Sequence, residues 1–507
     1  MLLPGILGHT TAQAQLGGVP LWTNRYDGPG NANDDATAIA VDSSGNVFVT
    51  GSSYDTNGYS DYATIKYSAE GVPLWTNRYN GPGNLYDSPS AVALDGSGNV
   101  LVTGYSFGTN GISDYATVKY SGAGVALWTN RYNGPGNKDD RANAVAVDGS
   151  GDVFVTGYSF GGNNGDDYAT IAYSGAGVAL WTNRYNGPGN GSDQATAVAV
   201  DGSGNVFVTG YSVASNSVVN DYTTIAYSGA GAALWTNRYN GPGNNDDRAN
   251  AMAVDGSGNV FVTGYSHGGS SYNDYATIKY SGGGVALWTN RYNGPGNYDD
   301  QATAVAVDGS GNVFVTGYSF GTNSNRAFTT IKYSGTGVAL WTNRFDGNSD
   351  PRPNAVAVDG SGNVFVTGYS YSSGSLRDYA TLAYSGAGVA LWTNRYNGPG
   401  NGNDYAQAMA VDRNGNVFVT GYSVGVISDY ATIKYSAIPS LSVARTTENT
   451  VVVSWPSPST GFTLQSTTNL VSPAVWNTNL PSPVVINGQN TVTNPISGTQ
   501  QFFRLSQ

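Results

Sequence analysis

Residues 178–228 read VALWTNRYNGPGNGSDQATAVAVDGSGNVFVTGYSVASNSVVNDYTTIAYS, and most of the chain repeats this stretch with small changes. The Trp of its LWTNR motif recurs at Trp22, Trp75, Trp128, Trp181, Trp235, Trp288, Trp341 and Trp392. Successive Trp residues lie 53 residues apart, except for one interval of 54 and one of 51. A fixed period of this size is typical of a repeat architecture.

Each repeat predicts four short β-strands. Four segments alternate apolar and polar residues and are bounded by Gly, Asn, Asp or Ser. In the fourth repeat they are strand d (Val178–Tyr185), strand a (Ala195–Asp201), strand b (Val206–Ser212) and strand c (Asp221–Ser228). Gly-rich turns join a to b and c to the next d, which predicts antiparallel hairpins. Four antiparallel strands per repeat, without a helical pattern, are typical of a β-propeller blade.

Residue size predicts the order of the strands, and the chain ends predict how the ring closes. Strand a carries small residues such as Ala36 and Ala40, whereas strand d carries Trp22. Because blades converge toward the axis, we expect strand a innermost and strand d outermost. The repeats begin with a lone strand d (Val19–Tyr26) and end with a strand c (Asp429–Ser436), which would otherwise leave an open edge. We therefore expect an all-β fold with an eight-bladed propeller closed by the N-terminal strand.

The repeat resembles a known family. The run AVAVDGSGNVFVTGYS (residues 304–319) and the run DYATIKYS (residues 274–281) are similar to the SBBP-type β-propeller repeat of bacterial secreted and surface proteins. The resemblance covers residues 17–436. It implies the propeller fold and a location outside the cytoplasm. It implies no particular activity, because propellers host lectins, enzymes, scaffolds and adhesins alike.

Composition excludes several classes of function. The 507 residues include no Cys, which excludes disulfides, thiol catalysis and Cys-ligated metals. Two His residues exclude a multi-His metal site and a His-based triad in every repeat. The net charge of −12 disfavours nucleic acids and anionic membranes as partners, because both need a basic surface. No apolar stretch is long enough to span a bilayer. We expect the protein to be a monomer.

We expect four segments along the chain. Residues 1–15 end in Ala12-Gln13-Ala14, a pattern that a signal peptidase could cut, so we expect the remnant of an export signal there. Residues 16–436 form the propeller, and residues 437–440 form a linker. Residues 441–507 lack the repeat and contain Trp455 and the pair Phe502 and Phe503, which resemble features of fibronectin type III or immunoglobulin-like β-sandwiches.

One acidic residue recurs in the loop between strand d and the next strand a, which we call the loop Asp. It stands at Asp34, Asp87, Asp140, Asp193, Asp247, Asp300 and Asp404. Each loop enters an inner strand, so we expect these carboxylates to form a ring near one mouth of the central channel. One interpretation is a cation site, for example for Ca²⁺, which prefers several oxygen ligands. The other is structural pairing with the Arg that every strand d carries, such as Arg184.

Two further acidic positions favour structural roles. The Asp of DGSGN, such as Asp201, begins the turn between strands a and b and lacks the downstream Glu of a calcium loop. The Asp that begins strand c, such as Asp221, is typical of an Asx turn cap. Neither position indicates a metal site.

The loops between strands b and c vary in length and content, and variable loops on a rigid scaffold commonly carry recognition. Their aromatic residues are the candidate binding residues, namely Tyr59, Phe107, Phe160, Tyr272, Phe320 and Tyr371. Aromatic rings stack on sugars and amides bond hydroxyl groups, so these loops predict carbohydrate recognition. Drift of solvent-facing loops between duplicated repeats is the alternative explanation.

The function that we expect is that of an exported, non-catalytic binding or adhesion protein without a cofactor, whose partner is a glycan or a surface protein. A purely structural surface or matrix protein is the first alternative. A polysaccharide hydrolase or lyase that uses the loop Asp residues is the second. The segment SGAGVALW also resembles the docking motif of quinoprotein dehydrogenases, but the fuller motif is not met. The seventh repeat departs most, with Asp350-Pro351 in its loop and Arg326 and Phe328 in the strand before it.

Overall fold

The fold is given by a computed structural model. It describes residues 17–162, 165–215, 219–269, 272–347, 350–371, 376–436, 441–445, 450–456, 463–469, 475–478, 480–486, 489–495 and 501–506. The expected export remnant (1–15) and the expected linker (437–440) lie outside these residues. Pro20–Tyr435 forms one compact unit, and the residues on either side of it form a second unit. Within the described part, no helix is both long enough and apolar enough to cross a membrane.

The first unit consists of eight four-stranded antiparallel sheets, which we number as blades 1 to 8. Strand a of the successive blades is β2 (Asp34–Val41), β6 (Asp87–Leu94), β10 (Asp140–Val147), β14 (Gln194–Val200), β18 (Asp247–Val254), β22 (Gln301–Val307), β26 (Arg352–Val358) and β30 (Asp404–Val411). Strand b is β3 (Val47–Tyr54), β7 (Val100–Phe107), β11 (Val153–Phe160), β15 (Val206–Val213), β19 (Val260–His267), β23 (Val313–Phe320), β27 (Val364–Tyr371) and β31 (Val417–Val424).

The two outer strands of each sheet follow the same order. Strand c is β4 (Ser60–Tyr67), β8 (Ser113–Tyr120), β12 (Asp166–Tyr173), β16 (Asn220–Tyr227), β20 (Asn273–Tyr280), β24 (Arg326–Tyr333), β28 (Arg377–Tyr384) and β32 (Ser428–Tyr435). Strand d is β5 (Pro73–Tyr79), β9 (Ala126–Tyr132), β13 (Ala179–Tyr185), β17 (Ala233–Tyr239), β21 (Ala286–Tyr292), β25 (Ala339–Phe345), β29 (Ala390–Tyr396) and, for blade 8, β1 (Pro20–Tyr26).

The N-terminal strand closes the ring as the sequence predicts. β1 pairs antiparallel with β32 and places Trp22 opposite Lys434 and Tyr26 opposite Tyr430. Blade 8 is therefore built from both ends of the repeat region. Strand c of the last repeat has a partner and leaves no long unpaired edge.

The order of strands from the axis outward also follows the predicted size gradient. Each strand a contacts strand a of the neighbouring blades. Strand d lies at the other side of every sheet and exposes its apolar residues, for example Leu287 with 51% of its surface accessible. The small Ala residues of strand a therefore line the crowded centre, and the large residues of strand d cover the rim.

Every strand a contains a β-bulge that the alternating pattern did not reveal. In blade 4 the register shifts between Ala195 and Ala197, and the extra residue is Thr196. Its hydroxyl donates to the carbonyl of Ala249 in strand a of blade 5, at 2.9 Å. Equivalent bonds come from Thr37, Asn143, Asn250, Thr303 and Asn354. In these six blades the bulge residue thus ties strand a to strand a of the next blade.

Buried tyrosines of strand c fasten neighbouring blades together. Tyr222 is 1% exposed, and its hydroxyl donates to the carbonyl of Ala276 in strand c of blade 5, at 3.1 Å. Six further Tyr residues make the same bond to the next blade, namely Tyr62, Tyr115, Tyr168, Tyr275, Tyr379 and Tyr430. Blade 6 has Phe328 at this position, equally buried and without a hydroxyl.

The Trp of strand d makes a second link between blades. Trp235 Nε1 donates to the carbonyl of Gly282, in the turn between strands c and d of the next blade, at 2.9 Å. Gly284 in that turn has a φ of 84°, and a Cβ there would lie 2.6 Å from the Trp235 ring. Glycine is therefore required both by the left-handed backbone and by the close approach of the indole.

The second unit contains two small sheets. One has four strands in the order β33 (Ser442–Arg445), β34 (Thr450–Pro456), β37 (Gln489–Pro495) and β36 (Val484–Ile486). The other pairs β35 (Thr463–Thr467) with β38 (Phe502–Ser506). Trp455 and Val453 from the first sheet share a core with Leu464 and Leu505 from the second.

Candidate functional site

The loop Asp residues are buried inside the ring. All seven have no accessible surface. In blade 4, Asp193 Oδ1 accepts the backbone N–H of Val213 at 2.9 Å, and Oδ2 accepts that of Gly187. A Cβ at Gly187 would lie 1.9 Å from Ser212 Oγ, which explains the Gly of the YNGPGN loop. The carboxylate therefore holds the loop closed, which favours a structural role for these residues over a cation site.

Burial raises the pKa of all seven loop Asp carboxyls above the ordinary value, although backbone N–H donors oppose the shift. Their environments are nearly the same in each blade. The paired acids of a glycosidase need pKa values that differ, and this arrangement does not separate them.

The Arg of strand d pairs with a different Asp from the one that we predicted. Arg184 Nη2 lies 2.8 Å from Asp167 Oδ2, and Asp167 is the residue that begins strand c of the same blade. The hairpin register places Arg184 opposite Ala169, two residues from Asp167. The same pair joins Arg25 to Asp429, Arg78 to Asp61, Arg131 to Asp114, Arg238 to Asp221 and Arg291 to Asp274. These Asp residues are therefore ion-pair partners. Among the described residues, the second carboxylate oxygen of Asp61, Asp114, Asp221 and Asp429 is buried without a hydrogen-bond partner, so the Asx turn cap that we expected is not formed there.

The Asp of DGSGN serves the turn between strands a and b, as we predicted. Asp201 Oδ1 accepts the backbone N–H groups of Ser203 and Asn205, both at 2.8 Å. Its Oδ2 accepts the side-chain amide of Asn205 at 2.8 Å. Both oxygens are thus used within the turn.

Three carboxylates lie close together where blades 8 and 1 meet, in the region where a cation site was one interpretation. Among the described residues, Asp27, Asp34 and Asp429 bring carboxylate oxygens within 4.8 Å of one another. Arg25 already pairs with Asp429 at 2.6 Å and supplies a counter-charge. An acidic cluster alone does not establish a metal site, and we assign none here.

The loops between strands b and c lie on the same face of the ring as the loops between strands d and a. Backbone bonds join the two loop sets, as from Gly296 N to the carbonyl of Phe320 at 3.1 Å and from Asp300 N to that of Asn273 at 2.7 Å. We call this the loop face. The predicted aromatic residues lie on it.

Three of the six predicted aromatics belong to separate local contacts. Tyr59 packs edge-on against Tyr86, with ring centroids 5.0 Å apart. Phe107 contacts Tyr105 at 6.2 Å. Phe160 lies beneath the ammonium of Lys138, which is 4.1 Å from the ring centroid. Among the described residues, no ring contact or cation–ring contact joins these three contacts to one another.

The other three predicted aromatics belong to one continuous row across blades 5 to 8, which we call the arc. Tyr272 contacts Tyr298 at 5.3 Å, and Tyr298 contacts Phe320 at 5.8 Å. The row continues through Arg326, whose guanidinium carbon lies 5.0 Å from the Phe320 ring centroid. The arc comprises Tyr272, Tyr298, Tyr318, Phe320, Arg326, Asp350, Arg352, Tyr369, Tyr371, Arg377, Tyr405 and Tyr422.

The centre of the arc gathers three arginines around one carboxylate. Asp350 contacts Arg326, lies 3.6 Å from Arg352 Nε and lies 3.6 Å from Arg377 Nη2. Arg377 Nη1 also donates to the hydroxyl of Tyr405 at 2.6 Å. In the other blades the equivalent loop carries the buried loop Asp, whereas here Pro351 takes its place and Asp350 turns toward the arginines. Asp350 has a φ of 35°, a left-handed conformation that is uncommon outside glycine.

Aromatic rings hold the arginines in place. Arg326 lies 4.6 Å from the Tyr318 ring centroid. Arg377 lies 5.2 Å from Tyr371 and 5.5 Å from Tyr405. Burial raises the pKa of the Tyr318 hydroxyl to about 12, so this ring stays neutral under the guanidinium at ordinary pH. The geometry fixes cationic groups beside flat apolar surfaces.

Sequence reasoning found part of the arc and missed its centre. Tyr272, Phe320, Tyr371 and Arg326 were singled out from the variable loops and the seventh repeat. Arg352 and Arg377 were not, because their convergence on Asp350 depends on how two blades meet. The replacement of the loop Asp by Pro351 was the available signal.

Comparison with known proteins supports the fold. Six segments match the family described as the SBBP beta-propeller repeat, residues 22–59, 181–216, 234–272, 287–323, 345–374 and 392–427. A search of curated proteins found no match.

Three solved structures are similar to this chain at low sequence identity and with TM-scores below 0.5. A structure of a eukaryotic initiation factor is 9% identical with a TM-score of 0.40, and the match covers 71% of this chain and 88% of that one. The β-propeller domain of the Trilobed protease from Pyrococcus furiosus, described as having an open velcro topology, is 8% identical with a TM-score of 0.41, covering 69% and 96%. A mutant puromycin hydrolase is 10% identical with a TM-score of 0.41, covering 73% and 58%.

We draw no functional inference from these distant likenesses. The family matches and the observed sheets agree with each other, since the matched segments fall within the repeating four-stranded blades. The propeller of this chain is built from SBBP β-propeller repeats.

Proposed function

We propose that this chain is a non-catalytic binding or adhesion protein that works outside the cytoplasm and recognises carbohydrate through the arc on its loop face. The observation that carries the proposal is the exposed aromatic pair at one end of the arc. Tyr272 is 41% exposed and Tyr298 is 38% exposed. Their rings contact each other at 5.3 Å. Large aromatic side chains that remain accessible on a rigid scaffold are suited to ligand binding.

The chemistry of the arc suits a sugar. The faces of Tyr272 and Tyr298 offer flat apolar surface to the C–H groups of a pyranose ring. Tyrosine hydroxyls can donate to sugar hydroxyls and accept from them, and guanidinium groups donate in a planar fork. The rings and the guanidinium groups of Arg326 and Arg377 are already held by their neighbours, so little side-chain entropy remains to be lost on binding.

A hydrolase or lyase is the less favoured proposal. The loop Asp residues, which would have to act as acid and base, have no accessible surface. Their oxygens accept backbone N–H donors in the loops that they close. A substrate cannot reach them without opening the loop, and this supports the non-catalytic proposal.

The test is binding of the purified chain to a panel of neutral and acidic polysaccharides, with calcium and again with chelator. We expect at least one polysaccharide to bind, without release of reducing ends. The variant Tyr272→Ala/Tyr298→Ala should weaken the binding by about tenfold or more, because stacked aromatics dominate such interfaces. Leu287→Ala, at an exposed residue of strand d on the rim of blade 5, should leave the affinity unchanged.

A matched aromatic pair locates the site on the face. The variant Tyr59→Ala/Tyr86→Ala removes the other contacting pair, on blades 1 and 2. Loss of affinity in this variant, with none in Tyr272→Ala/Tyr298→Ala, would contradict the arc as the binding site. A panel without any binding would overturn the carbohydrate proposal and favour a structural role or a protein partner.

We also propose that the second unit is a fibronectin type III or immunoglobulin-like module that connects the propeller to a surface. Its two small sheets share one core around Trp455, which supports a sandwich.

A further inference from the structure

The further inference concerns the charge of the ligand, and it rests on the proposed carbohydrate binding. We infer that the arc binds an acidic polysaccharide, and that Arg326, Arg352 and Arg377 hold its carboxylate or sulfate groups. The three arginines face one carboxylate, that of Asp350, which leaves two positive charges uncompensated within the cluster. The whole chain has a net charge of −12, so a cationic cluster on its surface is a local exception.

Arg352 has the donors that an external anion would use. Among the described residues its guanidinium donates no hydrogen bond; it lies 3.6 Å from Asp350 and 5.6 Å from the Tyr318 ring centroid. Its side chain is 40% exposed. A guanidinium carries five N–H donors in a fork that matches a carboxylate or a sulfate. Arg352 can therefore take an acidic group without losing an existing hydrogen bond.

The equivalent arginine in blade 5 has its own carboxylate partner, unlike the arginines of the arc. Arg248 occupies the same position in strand a of blade 5 as Arg352 in blade 7. It stacks on Tyr211 at 4.6 Å and pairs with its own Asp246 at 3.4 Å. Asp246 therefore balances the charge of one guanidinium in blade 5. In the arc, one carboxylate serves three.

Nearby carboxylates do not cancel the charge of the arc. On the side of blade 5, Asp299 accepts the backbone N–H of Asn273 at 3.1 Å, and the ion pairs found among the described residues do not join it to the three arginines. Arg326 and Arg377 are held against Tyr318, Tyr371 and Tyr405. An acidic sugar has an apolar face and a charged group. The aromatic rings can stack on the apolar face, and the guanidinium groups beside them can bind the charged group.

The experiment compares matched polymers with the whole chain. Dextran and dextran sulfate differ only in sulfate, and polygalacturonate tests the carboxylate, with chelator present to exclude bridging calcium. We expect one of the charged polymers to bind at least about tenfold more tightly than dextran. The affinity should fall with rising salt, because the contact is ionic.

Two variants, one in the arc and one outside it, separate the role of the arc from general charge effects. Arg352→Gln/Arg377→Gln should weaken binding of the charged polymer by about tenfold or more, because charge-assisted hydrogen bonds are lost. Arg248→Gln removes one positive charge from the same face and should change the affinity less than about twofold, because Arg248 already has its own partner. Circular dichroism and thermal melts check that each variant is folded.

The outcomes separate the two proposals. Equal binding of dextran and both charged polymers, or binding of neutral polysaccharides alone, would overturn the acidic ligand and leave carbohydrate binding in place. Equal loss in Arg352→Gln/Arg377→Gln and in Arg248→Gln would also overturn it, since the effect would then be one of general charge. The absence of binding to any polysaccharide overturns the proposed function itself, and the inference with it.

Discussion

Deletion of residues 1–27 should destabilise the whole propeller rather than fray one blade. The deletion removes β1, and β32 then loses its antiparallel partner from Lys434 to Tyr430. It also removes the ion pair of Arg25 with Asp429 and the bond from Trp22 Nε1 to the carbonyl of Ala69 in blade 1. Blade 8 and its interface with blade 1 are therefore both expected to lose their structure.

The expected size of this effect is large. Trp22 packs against Tyr67 of blade 1 and Phe418 of blade 8, with ring centroids 6.0 and 6.1 Å apart. Removal of one large aromatic from such a contact costs about 3–5 kcal/mol, before the lost strand pairing is counted. We expect the free energy of unfolding, measured by urea denaturation, to fall by more than about 5 kcal/mol.

A shorter deletion is the control. Removal of residues 1–16 leaves β1 intact and should leave the urea midpoint unchanged. The longer deletion also exposes the edge of β32, so we expect it to self-associate. An unchanged midpoint after deletion of residues 1–27 would contradict closure by the N-terminal strand.

The propeller should unfold sharply when the pH rises above about 10, the ordinary pKa of tyrosine. Burial raises the pKa of seven strand-c tyrosines well above the ordinary value, namely Tyr62, Tyr115, Tyr168, Tyr222, Tyr275, Tyr379 and Tyr430. Each stays protonated in the folded ring, where its hydroxyl is bonded to the next blade. In the unfolded chain the same groups lose their protons.

The sign follows from linkage. A group whose pKa is raised by folding stabilises the fold fully below its unfolded pKa, and this contribution is lost as the pH rises toward the folded pKa. One such tyrosine lowers the free energy of unfolding by about 1.4 kcal/mol per pH unit above pH 10, so seven lower it by roughly 10 kcal/mol per pH unit. Circular dichroism and tyrosinate absorbance should therefore change together over a narrow pH range.

Blade 6 supplies the matched control for this prediction. Phe328 replaces the strand-c tyrosine there, in an equally buried site. The variant Tyr168→Phe/Tyr222→Phe/Tyr275→Phe should therefore fold, and its alkaline transition should be less steep by about three protons. Gradual ionisation of all seven tyrosines before any loss of structure would contradict the account.

Much of the fold could be predicted because the same strand pattern recurs in eight blades. The Ala of strand a and the Trp of strand d gave the order of strands, and the unmatched Val19–Tyr26 gave the closure. The bulge at Thr196 was missed because an extra residue within an alternating strand leaves no mark in composition. In the second unit, short polar strands such as Gln489–Pro495 are hard to tell from loops in the sequence.

The candidate site was less accessible to sequence reasoning. The loop Asp residues stood out because they recur in seven repeats, but they are structural. Their burial could not be read from their positions along the chain. The pairing of Arg184 with Asp167 depends on hairpin register, and a residue nine positions away looked equally suitable. The arc depends on blades 5 to 8 lying side by side, which brings Tyr298, Asp350 and Arg377 together from separate repeats.

Hydrogen–deuterium exchange of the whole chain with and without a bound acidic polysaccharide tests the central claim most directly. We predict slower exchange on binding at the loop-face ends of blades 6 and 7, in residues 318–328, 350–354 and 369–371. We predict no change at the loop-face ends of blades 1 and 2, in residues 52–62 and 105–115. Protection that is equal in all eight blades, or confined to blades 1 and 2, would contradict the arc as the binding site.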